Sequence, residues 1–471
     1  MKVTVRVLSL VLISWLAGCG GTAPPANSAP APASAAISAK PAVSGAASAP
    51  ASAKPTASTG ASTSVSAAAG GSIRIGYITD LTGTTAQFGK DGVDGTNLFF
   101  DSLGGSVAGR KIEVIPADDE IKPDVGVTKA KQLVESQHVA IIMGVLNTAI
   151  CYALGQWAKD AQQAPVAITQ GCAAQFFASD PRFSSAYVSR FSLVPMALAD
   201  PLADWSIKQG HKKAAFITFD QAGGLEPTDL FAAAFIRRGG TVVQEQHPPF
   251  PNNPDFGPYL AQLDPSADVV FTFEPGIDGL RLVQQSANYG PTKKAAFIDF
   301  AGVATDPSNL AQEKDAALDI VNGNIVDFTS TSADYQKMSQ AWKAKYGDRP
   351  ISANVVNAYS TAQVLGAAIQ KVNGNVEDKQ AFLNALYSTD IQTVRGPSKL
   401  DSTHEPIQNT YLQQVVKQQD GSLGFKLLAT YPSEQPTGSF TPEQLQRLKP
   451  GQNKGKWPGF TQAQLTQLLG T

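Results

Sequence analysis

From residue 72 onward, short apolar runs alternate with stretches whose apolar positions recur every three or four residues. "IRIGYI" (73–78), "KIEVIPA" (111–117), "VAIIMG" (139–144) and "APVAIT" (164–169) have the length and content of buried strands. Between them, "FGKDGVDGTNLFFDSL", "KPDVGVTKAKQLVESQ" and "AICYALGQWAKDAQQ" carry helical patterns. In the second, Val127, Ala130 and Val134 share one stripe and the lysines lie off it. The pattern restarts with "KAAFITFD" (213–220), "TVVQEQ" (241–246), "ADVVFTFE" (267–274) and "KAAFIDF" (294–300). "LEPTDLFAAAFIRRG" and "GIDGLRLVQQSANYG" are the helices between them, each closed by a glycine near its end. Apolar strands separated by amphipathic helices predict parallel sheets covered on both faces, and two such series predict two α/β lobes. Three helical stretches follow, at about 331–347, 352–371 and 376–388, then two strand-like segments, "NTYLQQVVKQ" and "FKLLATY". Residues 432–471, rich in Pro, Gln and Gly, read as a surface-hugging extension. It holds two short helix starts, "TPEQLQRL" and "TQAQLTQLL", each with Thr as N-cap.

The first 71 residues break that pattern. "MKVTVRVLSLVLISWLAGCGG" has Lys2 and Arg6, an apolar stretch from Val7 to Leu16, then small residues, the layout of a secretory signal. "LAGC" resembles the lipobox of bacterial lipoproteins, so 1–19 is read as a lipoprotein signal peptide. Lipid on Cys19 would tether the chain outside the cytoplasmic membrane. The alternative is an ordinary signal peptide with a chance cysteine. Residues 20–71 are almost wholly Ala, Ser, Pro, Gly and Thr, with two lysines, no acid and no aromatic residue. Such a segment buries too little apolar surface to offset its ordering entropy, and is expected to be a disordered linker. As a coil it would reach on the order of 40 Å, and as polyproline about 150 Å.

Composition narrows the function. With 37 basic and 39 acidic residues the net charge is −2, and no basic stripe exists, so a nucleic-acid partner is not expected. His138, His211, His247 and His404 have no second histidine or cysteine at ligand spacing, so no metal site is expected, and no cofactor either. No G-x-S-x-G elbow, P-loop, H-E-x-x-H or Rossmann glycine fingerprint is present, and the chain reads as a non-enzyme. Beyond Cys19, Cys151 and Cys172 form an even pair in an oxidising compartment. They predict a disulfide, with two buried thiols as the alternative.

In open parallel sheets, ligands bind beyond the carboxyl ends of the strands. Those ends hold "TDLTGTTAQFG" with Phe88, "GVLNTAIC" with Asn147 and Thr148, and "TQGCAA" from Gln170 to Ala174. In the second series they hold "DQAGG" from Asp220, "EPG" from Glu274 and "DFAG" from Asp299. The set is hydroxyls, amides and glycines with few charges. Helix N-termini behind "NTAIC" and "QGCAA" suit a carboxylate or other anion without a positive side chain. A cleft for a small-molecule ligand is the expectation.

From Ser72 to Tyr431 the chain resembles the type I periplasmic solute-binding proteins of the Leu/Ile/Val-binding kind. The likeness rests on "IRIGYITDLTGTTAQFGKDGVDG", "KIEVIPADDE", "VAIIMGVLNTAICYAL" followed by "APVAITQGCAA", the second-series strands ending at Asp220 and Glu274, and "FAGVA" (300–304). The resemblance implies two Rossmann-like lobes with parallel central sheets, residues 72–192 plus 328–405 and residues 193–327 plus 406–431. It also implies three crossings, a ligand between the lobes, closure by hinge motion and a monomer that delivers to an ABC permease and ATPase complex. Carried over, Phe88 is the aromatic wall and Asn147, Thr148 and Ala149 hold the ligand carboxylate. Gln170, Gly171, Cys172 and Ala173 form the next strand end. Ala173 lacks the hydroxyl often found there, Glu274 stands in an aromatic's place, and Ala301 stands where amino-acid binders carry an acid for the ammonium group. An α-amino acid would therefore need Glu274 or Asp220 as a substitute; otherwise an uncharged amide, or an aromatic or aliphatic carboxylate, is implied. Arg190 is either a ligand clamp or half of a buried hinge ion pair. The function implied is a lipid-anchored solute-binding protein of an ABC importer. A ligand-sensing subunit that signals to a membrane partner without transport is the alternative.

Overall fold

The central apolar runs become strands that are buried on both faces, while those at 110–118 and 241–246 stay partly exposed. In the computed structural model, which describes residues 71–168, 171–175, 180, 182–289 and 294–470, these belong to one unit, Val65–Thr471. Cys19, the rest of the signal and linker up to residue 70, and Gln170 lie outside the described residues. The chain begins with β1 (Ile73–Thr79), α1 (Ala86–Ser102), β2 (Ser106–Val107), β3 (Arg110–Asp118) and α2 (Pro123–Glu135). It continues with β4 (Ile141–Gly144), α3 (Thr148–Ala161), β5 (Val166–Ile168) and β6 (Val188–Arg190). These strands form one sheet in the order β2-β3-β1-β4-β5-β6, parallel except at the β2 edge.

The second series follows as α4 (Pro195–Lys208), β7 (Lys213–Thr218), α5 (Ala222–Arg237), β8 (Thr241–Gln246) and α6 (Gly257–Ala261). It continues through β9 (Val269–Phe273), α7 (Gly276–Ser286), β10 (Ala296–Phe300), α8 (Leu310–Glu313) and β11 (Val321–Asn324). Next come α9 (Ala333–Tyr346), α10 (Ala353–Lys371), α11 (Lys379–Tyr387), β12 (Ile391–Thr393) and β13 (Gly396–Leu400). The chain ends with β14 (Pro406–Lys417), β15 (Leu423–Glu434), α12 (Pro442–Leu448) and α13 (Gln462–Leu469). The second sheet runs β12-β13-β14-β11-β10-β9-β7-β8, with β15 on β14; its β8 to β11 portion is parallel. Helix α10 returns to the first sheet and lies against α1. Gly95 makes this approach possible, because a Cβ there would stand 2.5 Å from the Val355 carbonyl oxygen.

Several elements of this fold escaped the sequence pattern, among them β6, α4 and β11. Helix α4 contains Pro201, which has no N–H for the carbonyl of Ala197 four residues earlier. The Thr410 hydroxyl donates to that carbonyl instead, at 2.8 Å. A crossing strand thus repairs the helix. The C-terminal extension also differs from its expected character. Strand β15 runs to Glu434, and the residues beyond it enter the core of the second lobe. Trp457 is wholly buried and its Nε1 donates to Asp229 Oδ1 at 2.6 Å; the Gly451 N–H donates to Asp229 Oδ2 at 2.7 Å. Its two helices start with capping boxes, Thr441 with Gln444 and Thr461 with Gln464, at the expected threonines.

The segments joining the two sheets are laced by buried polar side chains. Arg190 and Glu405 lie 3.0 Å apart, both essentially without exposure, and Arg190 also donates to the carbonyls of Leu193 (3.0 Å) and Ala174. Of the two roles open to Arg190, the structure places it in the buried ion pair. Arg395 donates to the Phe191 carbonyl at 2.6 Å and Gln408 to the Ser192 carbonyl at 3.2 Å. Gln413 binds the second crossing from both ends of its amide, to the Val326 carbonyl and the Phe328 N–H. Cys151, on α3, and Cys172, past β5, are joined by a disulfide with Cα atoms 6.3 Å apart.

Two stability measurements check this lacing. Arg190→Met strands the Glu405 carboxylate and should lower unfolding free energy by about 3–5 kcal/mol in urea titrations, while Arg190→Met with Glu405→Leu recovers much of it. Additive losses in the double variant would show that the pair is uncoupled. Cys172→Ser should lower stability by about 3 kcal/mol, the constraint expected of a closed loop of this size.

Candidate ligand-binding cleft

Each sheet has a point where successive connections leave in opposite directions, between β1 and β4 in the first and between β7 and β9 in the second. The loops beyond both points line one cavity. Its empty volume is about 800 Å³, the solvent at its mouth included. From the first lobe come Asp80, Thr85, Phe88, Leu146, Asn147, Thr148 and Gly171. From the second come Phe219, Gly223, Phe250, Phe273, Pro275, Ala301 and Asn324, while Leu193 and Leu198 close the hinge side and Asn354 and Asn357 enter from α10.

Two features define the chemistry of this cavity. Its walls are aromatic: Phe219 packs against Phe250 with centroids 4.8 Å apart and against Phe273 at 5.4 Å, and Phe88 faces them from the first lobe's share of the lining. Its field comes from backbone. Residues in the first turn or cap of α1 (Thr85, Phe88), α3 (Asn147, Thr148), α5 (Gly223), α7 (Pro275) and α10 (Ala353, Asn354) all lie on the lining. Five helix N-termini therefore converge on one space, each presenting partial positive charge. Among the described residues, no Lys, Arg or His lines it.

The donors at α3 are set by local bonds. Asn147 Oδ1 caps the helix by accepting the Ala149 N–H at 2.9 Å, which leaves the amide NH2 as its other group. Thr148 Oγ1 accepts the Ala173 N–H at 3.0 Å, so the hydroxyl hydrogen is available to a ligand. On α5, Pro227 lacks the N–H that would bond the Gly223 carbonyl four residues earlier.

The carboxyl groups on the lining are already engaged. Asp306 accepts the Ala353 N–H at 3.0 Å and the Ser308 N–H at 3.0 Å; burial pushes its pKa up to about 6. Asp80 accepts the Thr85 hydroxyl and lies beside Asp119. Burial raises both, Asp119 to about 9 with the Asp80 charge adding to the effect, so the pair retains a proton. Neither acid offers a free charge to an ammonium group.

The lobes meet across the cleft. The Ile277 N–H donates to the Thr84 carbonyl at 3.2 Å, and Gly276 allows the approach: its φ is +65° and a Cβ there would sit 2.4 Å from that same oxygen. Glu226 of α5 accepts from the Tyr152 hydroxyl of α3 at 2.8 Å and from the Gln175 N–H at 2.7 Å. Burial holds Glu226 up to about 8 in spite of these donors.

Of the residues singled out by sequence, the structure brings Phe88, Asn147, Thr148, Gly171 and Ala301 together on the lining. Ala149, Cys172, Ala173, Asp220 and Glu274 lie off it. Ala149 spends its N–H on the helix cap, Cys172 is buried in the disulfide, and Ala173 donates to Thr148. Asp220 is paired with Lys454 of the extension at 2.6 Å. Glu274 is fully buried inside the second lobe, where desolvation and then Asp278 push its pKa well up. Among the residues that sequence reasoning missed are Phe250, Asn357, and Phe219 and Phe273, the last two each one position before Asp220 and Glu274. At both strand ends the aromatic side chain lines the cavity, while the acid after it is paired with Lys454 or buried inside the lobe.

A family model for periplasmic binding proteins matches residues 72–421. Leu/Ile/Val-binding protein homolog 6 of Brucella melitensis is 25% identical over 370 residues, covering 78% of this chain and 93% of its own. An ABC transporter substrate-binding protein from Sphaerobacter thermophilus superposes with a TM-score of 0.72 at 26% identity, over 77% of this chain and 99% of that one. The solute-binding protein of an ABC transporter from Rhodopseudomonas palustris BisB5, solved in complex with 3,4-dihydroxybenzoic acid, superposes with a TM-score of 0.71 at 29% identity, over 78% of this chain and 98% of that one.

Glu226 gives this site a pH signature. Its raised pKa means that the folded protein keeps a proton that an unfolded glutamate, at 4.5, has lost. The stabilisation is therefore complete below pH 4.5 and is lost as pH rises toward 8. Glu226→Gln removes this contribution, so the stability of the variant relative to the natural chain should rise across that window and level above it. A difference that is flat with pH in denaturant titrations would show that Glu226 is ionised throughout.

Proposed function

The chain belongs to the periplasmic binding protein family, and from that premise we propose that it captures a small aromatic carboxylate outside the cytoplasmic membrane for an ABC importer. The observation that carries the ligand class is the convergence of five helix N-termini on a phenylalanine-walled cavity that, among the described residues, has no basic side chain. Helix N-termini hold an anion through N–H groups and dipole, and aromatic walls favour a flat apolar body. The carboxylate is assigned to the N-terminus of α3, with the Thr148 hydroxyl and the Asn147 amide as donors; the ring is assigned to Phe88, Phe219, Phe250 and Phe273. An α-amino acid fits less well. Its ammonium needs an anion in a desolvated cleft, and Asp80 and Asp306 are both committed to other partners. The 29% identical solute-binding protein with bound 3,4-dihydroxybenzoic acid supports the same class.

The remaining parts of the reading follow the family. Lipid on Cys19 would keep the protein at the membrane, with residues 20–71 as the tether that lets the binding lobes reach a permease and its ATPase. Closure about the laced crossings would bring Thr84 to Ile277 and Tyr152 to Glu226 around the bound solute.

A thermal-shift panel tests the ligand class. Benzoate or a hydroxylated benzoate at about 100 times Kd should add roughly 2.7 kcal/mol to stability, while leucine and glutamine leave it unchanged. Thr148→Val should weaken the aromatic hit about 10- to 100-fold with the unliganded fold intact by circular dichroism. Stabilisation by leucine and by no aromatic acid would reverse the assignment.

A further inference from the structure

Asn357 stands on α10 at the hinge side of the cavity, beside Leu193 and Ile325 in the lining. Its amide is oriented by a neighbour that can only donate. Arg395 NH1 gives a hydrogen bond to Asn357 Oδ1 at 2.9 Å, and the other arm of that guanidinium binds the Phe191 carbonyl of the first crossing at 2.6 Å. A guanidinium has no acceptor, so the amide oxygen must face it and the NH2 must face away. Arg395 is buried, and although burial lowers its pKa to about 10 it stays a cation at neutral pH. The amide is therefore held in one orientation, with Nδ2 as the group it offers to the cavity.

The neighbouring amide on the same wall offers no equivalent. Asn324 Nδ2 donates to the Ala301 carbonyl at 2.9 Å and its Oδ1 accepts the Val326 N–H at 3.0 Å, so both its ends are occupied within the second lobe. Among the other lining amides, Asn147 belongs to the α3 end assigned to the carboxylate, and Asn354 stands one turn before Asn357 in the first turn of α10. Asn357 thus supplies a second donor point, fixed by Arg395, at the hinge side of the cavity.

We propose that Asn357 is a specificity-determining residue that reads an oxygen substituent on the ring of the bound acid, with Arg395 as the positioning residue that fixes its donor. The inference rests on the reading of the cleft as an aromatic-carboxylate site and refines it to oxygenated rings. A ring hydroxyl accepts from Nδ2 and gains a partner for a donor that an unsubstituted ring leaves unpaired in a desolvated space. A substituent that is a poor acceptor gains nothing.

Calorimetric titration of the protein with benzoate, 3-hydroxybenzoate, 4-hydroxybenzoate and 4-aminobenzoate provides the test. One of the two hydroxybenzoates is expected to bind about 10-fold tighter than benzoate, and 4-aminobenzoate no tighter than benzoate. In Asn357→Leu that gain should vanish while benzoate affinity stays within about 3-fold, and Arg395→Met should reduce the gain without abolishing benzoate binding. Equal weakening of all four ligands in Asn357→Leu would overturn the assignment, because a purely structural role moves them together. Benzoate binding without any gain from a hydroxyl in the natural chain would also overturn it, and needs no variant to fold. Failure of all four acids to bind, with another solute class binding, would instead remove the underlying aromatic-carboxylate reading.

Discussion

Arg190 places a guanidinium where no water reaches, and much of the molecule is arranged to satisfy it. Its ion pair with Glu405 joins the end of the first sheet to the last crossing, and its remaining donors take the carbonyls of Leu193 and Ala174. These carbonyls lie on either side of the cavity's hinge wall: one precedes α4, the other follows the disulfide. A buried ion pair contributes little net stability against an apolar replacement. Its value here is geometric. With Arg395, Gln408 and Gln413 it fixes where three crossing segments run, and hence how the two sets of strand tips face each other.

The cavity that results draws its anion-binding donors from helix ends, and among the described residues no positive side chain lines it. Partial charges at helix ends are fixed to the fold and need no flexible lysine to be ordered on binding. The same design explains the buried acids near the site. Asp306 bonds the first N–H of α10, and Asp80 and Asp119 are kept together by a shared proton, so the acidic residues close to the cavity are tied into its frame by local partners.

The segment after β15 is part of the second lobe. Trp457, Leu445, Leu448 and Leu465 join the same apolar cluster as Phe231 and Phe235 of α5, and the buried Asp229 receives its hydrogen bonds from Trp457, Gly451 and Asn453. Lys454 takes up Asp220, which removes an acid from the neighbourhood of the cleft. An aspartate that reads as a ligand contact along the chain is thereby spent on holding the extension.

The alternation of apolar strands and amphipathic helices determined, by itself, that this protein has two sheets of mostly parallel strands. The small polar strand ends marked Phe88, Asn147, Thr148, Gly171 and Ala301 as neighbours of a shared space. These features are legible because burial on both faces and helix capping act over a few residues, and so leave a local pattern. Tertiary structure alone decided the rest. Phe219 and Phe273, rather than Asp220 and Glu274, line the cavity, because Asp220 is drawn to Lys454 of the extension and Glu274 is packed inside the second lobe. Helix α4 survives Pro201 because a threonine more than 200 residues away, Thr410, supplies the missing donor. The orientation of the Asn357 amide depends on Arg395, brought beside it by the hairpin of β12 and β13 some 38 residues along the chain. Such partners meet through long-range closure of the chain, which leaves no periodic trace along it.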